Sequence, residues 1–355
     1  MTAQDLLGLR PGEVDALLSS LGAEPYRANQ LLQAIYRDGA SSLAAVVTLP
    51  GSLRAALATA GWEIGTPAAV RTVSNAGGDT TKALLRFDDG TLIETVLMQY
   101  ERRAGRARNT VCVSTQAGCA MGCTFCATGQ MGFERNLSAA EVLQQVMHFA
   151  RLLQAQDDHI TNLVFMGMGE PLANYAGTLQ AVRILSDPRA FGLGQRHITI
   201  STVGIVRAID RLAAERLQVN LAISLHAPND ALRCQLVPTA GPTSVADLVA
   251  AAKRYFRATG RRVTYEYALI AGVNDSSEVA GELGRLLGPV GAHLNVIPLN
   301  PTAGIFRRPA RASVREFRRT LLAAGVNCTV RIEKGSEISA ACGQLRTSEP
   351  VPMAP

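Results

Sequence analysis

From about residue 108 the sequence repeats a unit of apolar strand, loop and helix, and that alternation leaves few folds open. The strand candidates are TVCVSTQ (110–116), TNLVFMG (161–167), HITIST (197–202), VNLAISL (219–225), VTYEYAL (263–269), HLNVIPL (293–299) and CTVRIE (328–333). Apolar strands separated by helices form a parallel sheet with helical crossovers. The helix over 138–154 shows its start and its buried face. Ser138 and Glu141 make an S-x-x-E capping box, and Val142, Val146, Phe149 and Leu153 recur on one side. Six or seven such units curl into a partial or full barrel, where function gathers on loops at the C-terminal strand ends.

The loops after those strands hold the unusual residues. The first strand leads into GCAMGCTFCATG, which spaces Cys119, Cys123 and Cys126 as C-x₃-C-x₂-C. Three thiolates from one loop hold three corners of a [4Fe–4S] cube, whereas electron-transfer clusters are usually closed by four cysteines. An open metal position is what a site keeps when a small molecule must bind and react there. GMGEP (167–171) follows the second strand, Thr202-Val203-Gly204 the third and Leu225-His226-Ala227-Pro228 the fourth. Asn300-Pro301 follows the sixth, and the segment around Cys342 follows the last. One rim carries them all. The rival reading, a structural zinc, needs a fourth ligand, and no His or Cys stands at finger spacing after Cys126.

With 355 residues, 47% of them hydrophobic and 18% charged, the chain buries a full core, with room for one large domain and a smaller one. No apolar run approaches a membrane span, and the polar start MTAQDLLGLRPGE is no signal peptide, so a cytoplasmic location and no membrane partner are expected. Seven cysteines in a reducing compartment favour metal binding or catalysis over a disulfide framework. The charge is uneven. Residues 1–100 carry 7 Lys and Arg against 10 Asp and Glu, while the rest of the chain carries 28 against 19. The excess concentrates in ERRAGRAR (101–108) and RRPARASVREFRR (307–319), which favours a polyanionic partner such as nucleic acid.

The first 60 residues read as short helices, one opened by Pro11-Gly12 with Val14, Leu17, Leu18 and Leu21 on a face, another with Leu31, Leu32, Ile35 and Tyr36. Residues 68–98 alternate and turn at Gly77-Gly78-Asp79 and Asp88-Asp89-Gly90, which predicts an antiparallel meander. The expected division is an accessory domain over 1–100, a catalytic domain over 101–345 and a disordered tail over 346–355.

The three-cysteine loop after the first strand of a β/α domain resembles the radical S-adenosylmethionine (SAM) superfamily, in which SAM chelates the open iron. The resemblance implies one-electron cleavage of SAM, chemistry that belongs to the cofactor while the protein supplies position and electrostatics. GMGEP resembles that superfamily's GGEP strand end, which implies that Gly169 and Glu170 lie at the SAM ammonium. A tighter similarity covers almost the whole chain. CVSTQAGCAMGCTFC, FMGMGEPLANY, AISLHAPND, GVND and ISAACGQL, with the N-terminal PYRANQ helix, are similar in order and spacing to the RlmN/Cfr family of RNA adenine methyltransferases. The implied fold is α/β: a radical SAM partial (β/α)6 barrel with a small accessory domain, helical and then β.

The same resemblance implies roles for single residues. Cys342 becomes S-methylated, and Cys112 resolves the RNA-linked intermediate through a transient disulfide. Glu94 accepts the ring proton, an act open also to Cys112. Ser201, Ser224, Leu225, His226 and Asn300 contact SAM, two molecules of which are used per turnover. Cys234 and Cys328 match no role. The implied substrates are an adenosine of 23S rRNA at the peptidyl-transferase centre and the adenosine 3′ of a tRNA anticodon. The electron donor is external, of the flavodoxin or ferredoxin kind. GMGEP with Pro171 resembles the members that methylate C2 of adenine; methylation at C8 is the alternative, and a zinc-holding RNA-binding protein without catalysis the rival from another class. KGSEIS (334–339) departs from the family's usual Arg-Gly-x-Asp-Ile, so Lys334 lacks the bidentate reach of Arg.

Overall fold

A computed structural model describes residues 4–347 except 104–105, 303 and 332–333; residues 101–103 and 106–107 are described by their backbone alone. The N-terminal unit is helical. β1 (Gln4–Asp5) pairs in parallel with β2 (Trp62–Glu63), and between them run α1 (Pro11–Ser20), α2 (Tyr26–Tyr36) and α3 (Gly51–Thr59). Pro11 opens α1 where a missing N–H costs nothing. Val14 and Leu18 of α1 and Leu31, Leu32 and Ile35 of α2 are buried, as their spacing requires.

Next comes the meander of β3 (Ala68–Ser74), β4 (Thr80–Arg86) and β5 (Leu92–Arg103), antiparallel throughout. Its turns pass through Gly78 and Gly90 at φ of 67° and 86°, backbone that glycine adopts without strain. β5 then pairs antiparallel with β6 (Arg106–Cys112), so the meander and the barrel strands share one sheet. Residue 100, the expected domain boundary, lies inside β5. Of the expected tail, Arg346 and Thr347 are described and 348–355 lie outside the described residues.

From β6 onward the sheet is parallel. After the β7 (Gln116–Gly118) and β8 (Phe133–Asn136) hairpin, with α4 (Ala127–Gln130) inside it, α5 (Ala139–Gln154) leads to β9 (Asn162–Phe165). α6 (Tyr175–Ser186), β10 (Ile198–Thr202), α7 (Val206–Ala214) and β11 (Asn220–Ser224) follow. α8 (Asp230–Leu236), α9 (Val245–Thr259) and β12 (Val263–Leu269) come next. α10 (Ser277–Leu287), β13 (His293–Pro298), α11 (Arg311–Ala323) and β14 (Asn327–Val330) complete the series. The order β14-β13-β12-β11-β10-β9-β6-β5-β4-β3 has two free edges, so the barrel is open.

α5 shows how local chemistry sets the packing. Ser138 Oγ accepts from Glu141 N at 3.1 Å while Glu141 Oε2 accepts from Ser138 N at 2.7 Å. Such a cap is worth about 1 kcal/mol. Val142, Val146, Phe149 and Leu153 below it are fully buried. The same helix shortens the first expected strand, which stops at Cys112 instead of residue 116. Gln145 takes the Ser114 N–H at 2.8 Å and donates to the Ser114 carbonyl at 3.0 Å, so these groups leave the strand ladder. Among the described residues no helix is long and apolar enough to cross a membrane.

Candidate active site at the mouth of the open barrel

The cysteine loop is pinned by its own backbone. Cys119 N donates to the Gly132 carbonyl at 2.7 Å, Cys126 N to the Cys123 carbonyl at 3.1 Å, and Thr124 N to the Leu236 carbonyl at 3.0 Å. Gly129 of α4 lies so close that a Cβ would stand 2.8 Å from Cys123 N, so only glycine fits. Cys119, Cys123 and Cys126 border one cavity. Burial raises the Cys119 pKa to about 11 and Cys123 further, and the neighbouring thiols add to the rise. A bound metal reverses that logic and holds thiols deprotonated. Among the described residues no three His, Cys, Asp or Glu side chains are grouped to hold a single metal ion.

Strand ends β9 to β13 supply the opposite wall, which requires the sheet to curve around the cavity. Gly169, at φ 96°, and Glu170 stand after β9, and both border the cavity. Glu170 is buried, its oxygens accepting from Leu172 N at 2.9 Å and Val203 N at 2.7 Å, so it ties the GMGEP turn to the end of β10. Burial raises its pKa against those bonds. Ser201, Ser224, His226 and Asn300 also border the cavity, whereas the Leu225 side chain is fully buried behind it. His226 holds φ 61° and its Nδ1 accepts from Ala268 N at 3.0 Å, which leaves the proton of the neutral ring on Nε2. Burial first, then the Arg233 guanidinium, lowers the His226 pKa to about 3. The ring stays uncharged at neutral pH.

Cys342 opens onto this cavity. Its segment is tied directly to the cysteine loop: Ala127 N donates to the Gly343 carbonyl at 2.8 Å and Thr128 Oγ1 to the Leu345 carbonyl at 2.6 Å. Asn300 Nδ2 donates to the Cys342 carbonyl at 3.0 Å. Cys112, the last residue of β6, is buried behind the cavity wall, and both thiols are free. Burial pushes the Cys112 pKa up to about 12, Cys342 adds to the rise, and the Arg331 guanidinium opposes it. Desolvation at the cavity wall raises the Cys342 pKa as well, with Arg331 the main opposing charge and Glu266 adding to the rise.

Glu94 lies elsewhere. It borders a second cavity, about 1360 Å3 of empty space, on the side of the Cys342 segment that faces the meander. Its Oε1 pairs with Lys82 at 2.8 Å and its Oε2 accepts from Arg346 N at 2.8 Å. Burial raises its pKa, opposed by Lys82 and the Arg346 N–H.

The radical SAM superfamily model matches residues 113–282, and the model of the ribosomal RNA large subunit methyltransferase N-terminal domain matches residues 4–61. A "Ribosomal RNA large subunit methyltransferase N" of Nitrosopumilus maritimus is 57% identical over 97% of this chain and 98% of its own length. A "Probable dual-specificity RNA methyltransferase RlmN" of Chloroflexus aurantiacus is 46% identical over 96% and 92%. The chain belongs to the RlmN family of radical SAM methyltransferases. The crystal structure of a radical SAM methyltransferase from Sphaerobacter thermophilus superimposes with a TM-score of 0.92 at 48% identity, covering 97% of this chain and 99% of that one.

An RlmN-family enzyme works with a [4Fe–4S] cluster and SAM, and the residues present fit both. The donor set is three thiols on one wall of a cavity large enough for a ligand beside them. Across from them, Asn300 Oδ1 and Glu266 Oε2 are buried without a hydrogen-bond partner among the described residues, acceptors that an ammonium or hydroxyl satisfies.

Several residues of this site escaped the sequence. Glu266 borders the cavity, held through Oε1 by Asn295 Nδ2 at 2.8 Å and flanked by Arg331 Nε at 3.9 Å. Asn274, in the GVND string, is fully buried and donates to the His226 and Ala268 carbonyls at 2.9 and 2.8 Å, fixing the strained turn. Lys334, the departure from the family pattern, bonds Asp79 and donates to the Gln99 carbonyl at 2.7 Å. The motif strings were signals for Asn274 and Lys334. Glu266 and Arg331 carried none, because their pairing joins two strands distant in sequence.

Proposed function

We propose that this chain methylates C2 of an adenosine in 23S rRNA by carrying the one-carbon unit on Cys342. The adenosine 3′ of a tRNA anticodon is its second substrate. The observation that carries this reading is Cys342 bordering the same cavity as the three-cysteine loop, with a buried Cys112 near enough for the two thiols to interact electrostatically. A one-carbon relay needs a carrier facing the methyl source and a second thiol to release the product, and the two sulfurs meet that requirement.

Cys119, Cys123 and Cys126 hold the cluster; reduced, it supplies the electron that cleaves SAM. Glu170, Ser201, Ser224, His226 and Asn300 surround SAM, while Gly169 lets the backbone approach it. Two SAM molecules would serve each turnover, one supplying the methyl group that Cys342 takes up and the other the radical. Glu94, whose carboxylate burial makes more basic than an ordinary one, accepts the ring proton once the base reaches the cavity that Glu94 borders, an act open also to Cys112. The unpaired electron left on the ring would return to the cluster. Cys112 would then attack the Cys342 sulfur, and the RNA carbon would leave with the bonding pair and take up a proton to become the methyl group. An external two-electron reductant would reduce the resulting disulfide to two thiols. Flavodoxin or ferredoxin donates the electron, and a reducing cytoplasm suits both demands.

Basic side chains support the RNA partner. Arg311, Arg315 and Arg318 are exposed on one face of α11, spaced by four and three residues, and border a cavity that Arg331 also lines. The ERRAGRAR side chains at 101–107 lie outside the described residues. The accessory unit over 1–100 is the second RNA contact in this reading. Anaerobic incubation with reductant, SAM and protein-free rRNA, followed by nucleoside analysis, tests it. 2-Methyladenosine is expected; 8-methyladenosine alone overturns the carbon assignment, and no methyladenosine overturns the function.

A further inference from the structure

The segment that carries Cys342 is fastened to the meander at three points. Lys334 holds its start, through Asp79 and the Gln99 carbonyl. Lys82 Nζ donates to the Ser339 carbonyl at 3.1 Å, in the middle. Glu94 Oε2 accepts from Arg346 N at 2.8 Å, at the end. Lys82 and Glu94 are themselves paired at 2.8 Å, with side chains only 14% and 7% exposed.

Strand register puts this pair in one place. Lys82 on β4 stands opposite Val96 of β5, and Leu84 stands opposite Glu94, so Lys82 and Glu94 are diagonal neighbours on one sheet face. Val96 in turn stands opposite Cys112 of β6. The pair that grips the Cys342 segment therefore shares a sheet face with the thiol that must meet Cys342. Ser339 at φ 53°, Gly335 at 72° and Gly343 at 82° bend the segment sharply, and such a path needs external fastening to hold one shape.

We propose that Lys82 and Glu94 form a positioning clasp that sets where the Cys342 thiol stands, so that Glu94 serves the relay before any proton leaves the adenine. The proposal rests on the methyl-carrier reading of Cys342 and adds to it. A base for the ring proton matters only after RNA has been attacked. A clasp matters already when Cys342 takes its methyl group from SAM, a step without RNA. A carrier displaced by about 1 Å loses on the order of a hundredfold in rate. Lys82 is not itself the group that takes the ring proton, yet the clasp needs it.

Two measurements on the full-length, cluster-loaded protein test this. The first is hydrogen exchange of residues 336–346 without substrates, in wild type, Lys82→Met, Glu94→Ala and Glu94→Gln. At least fivefold faster exchange is expected in Lys82→Met and Glu94→Ala, with β9 to β13 unchanged as the control for folding. Wild-type exchange in both overturns the clasp. The second is S-methylation of Cys342 at saturating labelled SAM and without RNA, read by peptide mass spectrometry. Both disrupted variants are expected to slow at least tenfold. Glu94→Gln keeps an acceptor for the Arg346 N–H and is expected to recover to within about threefold, while still failing to complete RNA methylation. Wild-type rates in Lys82→Met and Glu94→Ala overturn the proposal. Wild type that never carries a methyl on Cys342 overturns the proposed function instead, and the exchange result then decides the clasp alone.

Discussion

Asn300 reaches from the end of β13 and donates its Nδ2 proton to the Cys342 carbonyl at 3.0 Å. The same side chain keeps Oδ1 buried at the cavity without a hydrogen-bond partner among the described residues, so one amide joins the strand-end wall to the Cys342 segment. Replacing Asn300 by Ala is expected to weaken SAM binding roughly tenfold or more, the worth of one hydrogen bond to a charged group. Equilibrium dialysis with labelled SAM measures it. Unaltered affinity removes Asn300 from the SAM contacts.

Each of Cys119→Ala, Cys123→Ala and Cys126→Ala is expected to abolish cluster retention. Wild type reconstituted without oxygen should hold about four irons and four sulfides per chain. Each variant should hold less than about one. Zinc in place of iron in the anaerobically purified wild type contradicts the cluster.

Release of RNA from Cys342 should accelerate with pH. Burial holds the Cys112 pKa near about 12, so the thiol form dominates at neutral pH and the attacking thiolate grows about tenfold per pH unit. Chasing a preformed protein–RNA adduct between about pH 7 and 9 reads the rate directly. A flat profile shows that thiolate formation at Cys112 does not limit release.

His226 makes stability sensitive to acid. Its folded pKa of about 3 lies below the unfolded value of about 6.5. The unfolded chain therefore takes the proton first. The stabilisation is complete above about pH 6.5 and is lost as pH falls toward 3, with a limiting slope of about 1.4 kcal/mol per unit. His226→Asn keeps an acceptor for the Ala268 N–H and tolerates positive φ. Thermal unfolding should show a smaller loss between about pH 7 and 5 in the variant than in wild type. Equal losses refute it.

The α11 arginines should set the salt dependence of RNA affinity. Changing Arg311, Arg315 and Arg318 together to Ala is expected to reduce the slope of log affinity against log salt by about 0.7 each, about 2 in all. Binding titrations across salt concentration provide the slope, and an unchanged slope places the RNA elsewhere.

Much of this arrangement was legible in the sequence. The helix over 138–154 has the expected cap and face, because both depend on residues three or four apart. The parallel strands appear within one to three residues of their expected ends at most positions, since burial on both faces demands apolar runs. The expected first strand runs past Cys112 because nothing local signals that Gln145, 31 residues beyond Ser114, takes the Ser114 backbone bonds. Cys119, Cys123, Cys126, Glu170, Ser201, Ser224, His226, Asn300 and Cys342 reach one cavity because each lies at the C-terminal end of a barrel strand or in the segment that follows it.

Sequence alone thus determined the element types, the rim on which the reactive residues gather and the three-thiol donor set. These follow from periodicity and from spacing within single loops. Tertiary structure decided which side chains meet: Asn300 with Cys342, Lys82 with Glu94 and Ser339, Glu266 with Arg331. It also decided that Glu94 borders a cavity other than the one the three thiols share. Such pairings come from strand register and sheet curvature, which bring together residues up to 257 positions apart and leave no periodic trace in the chain.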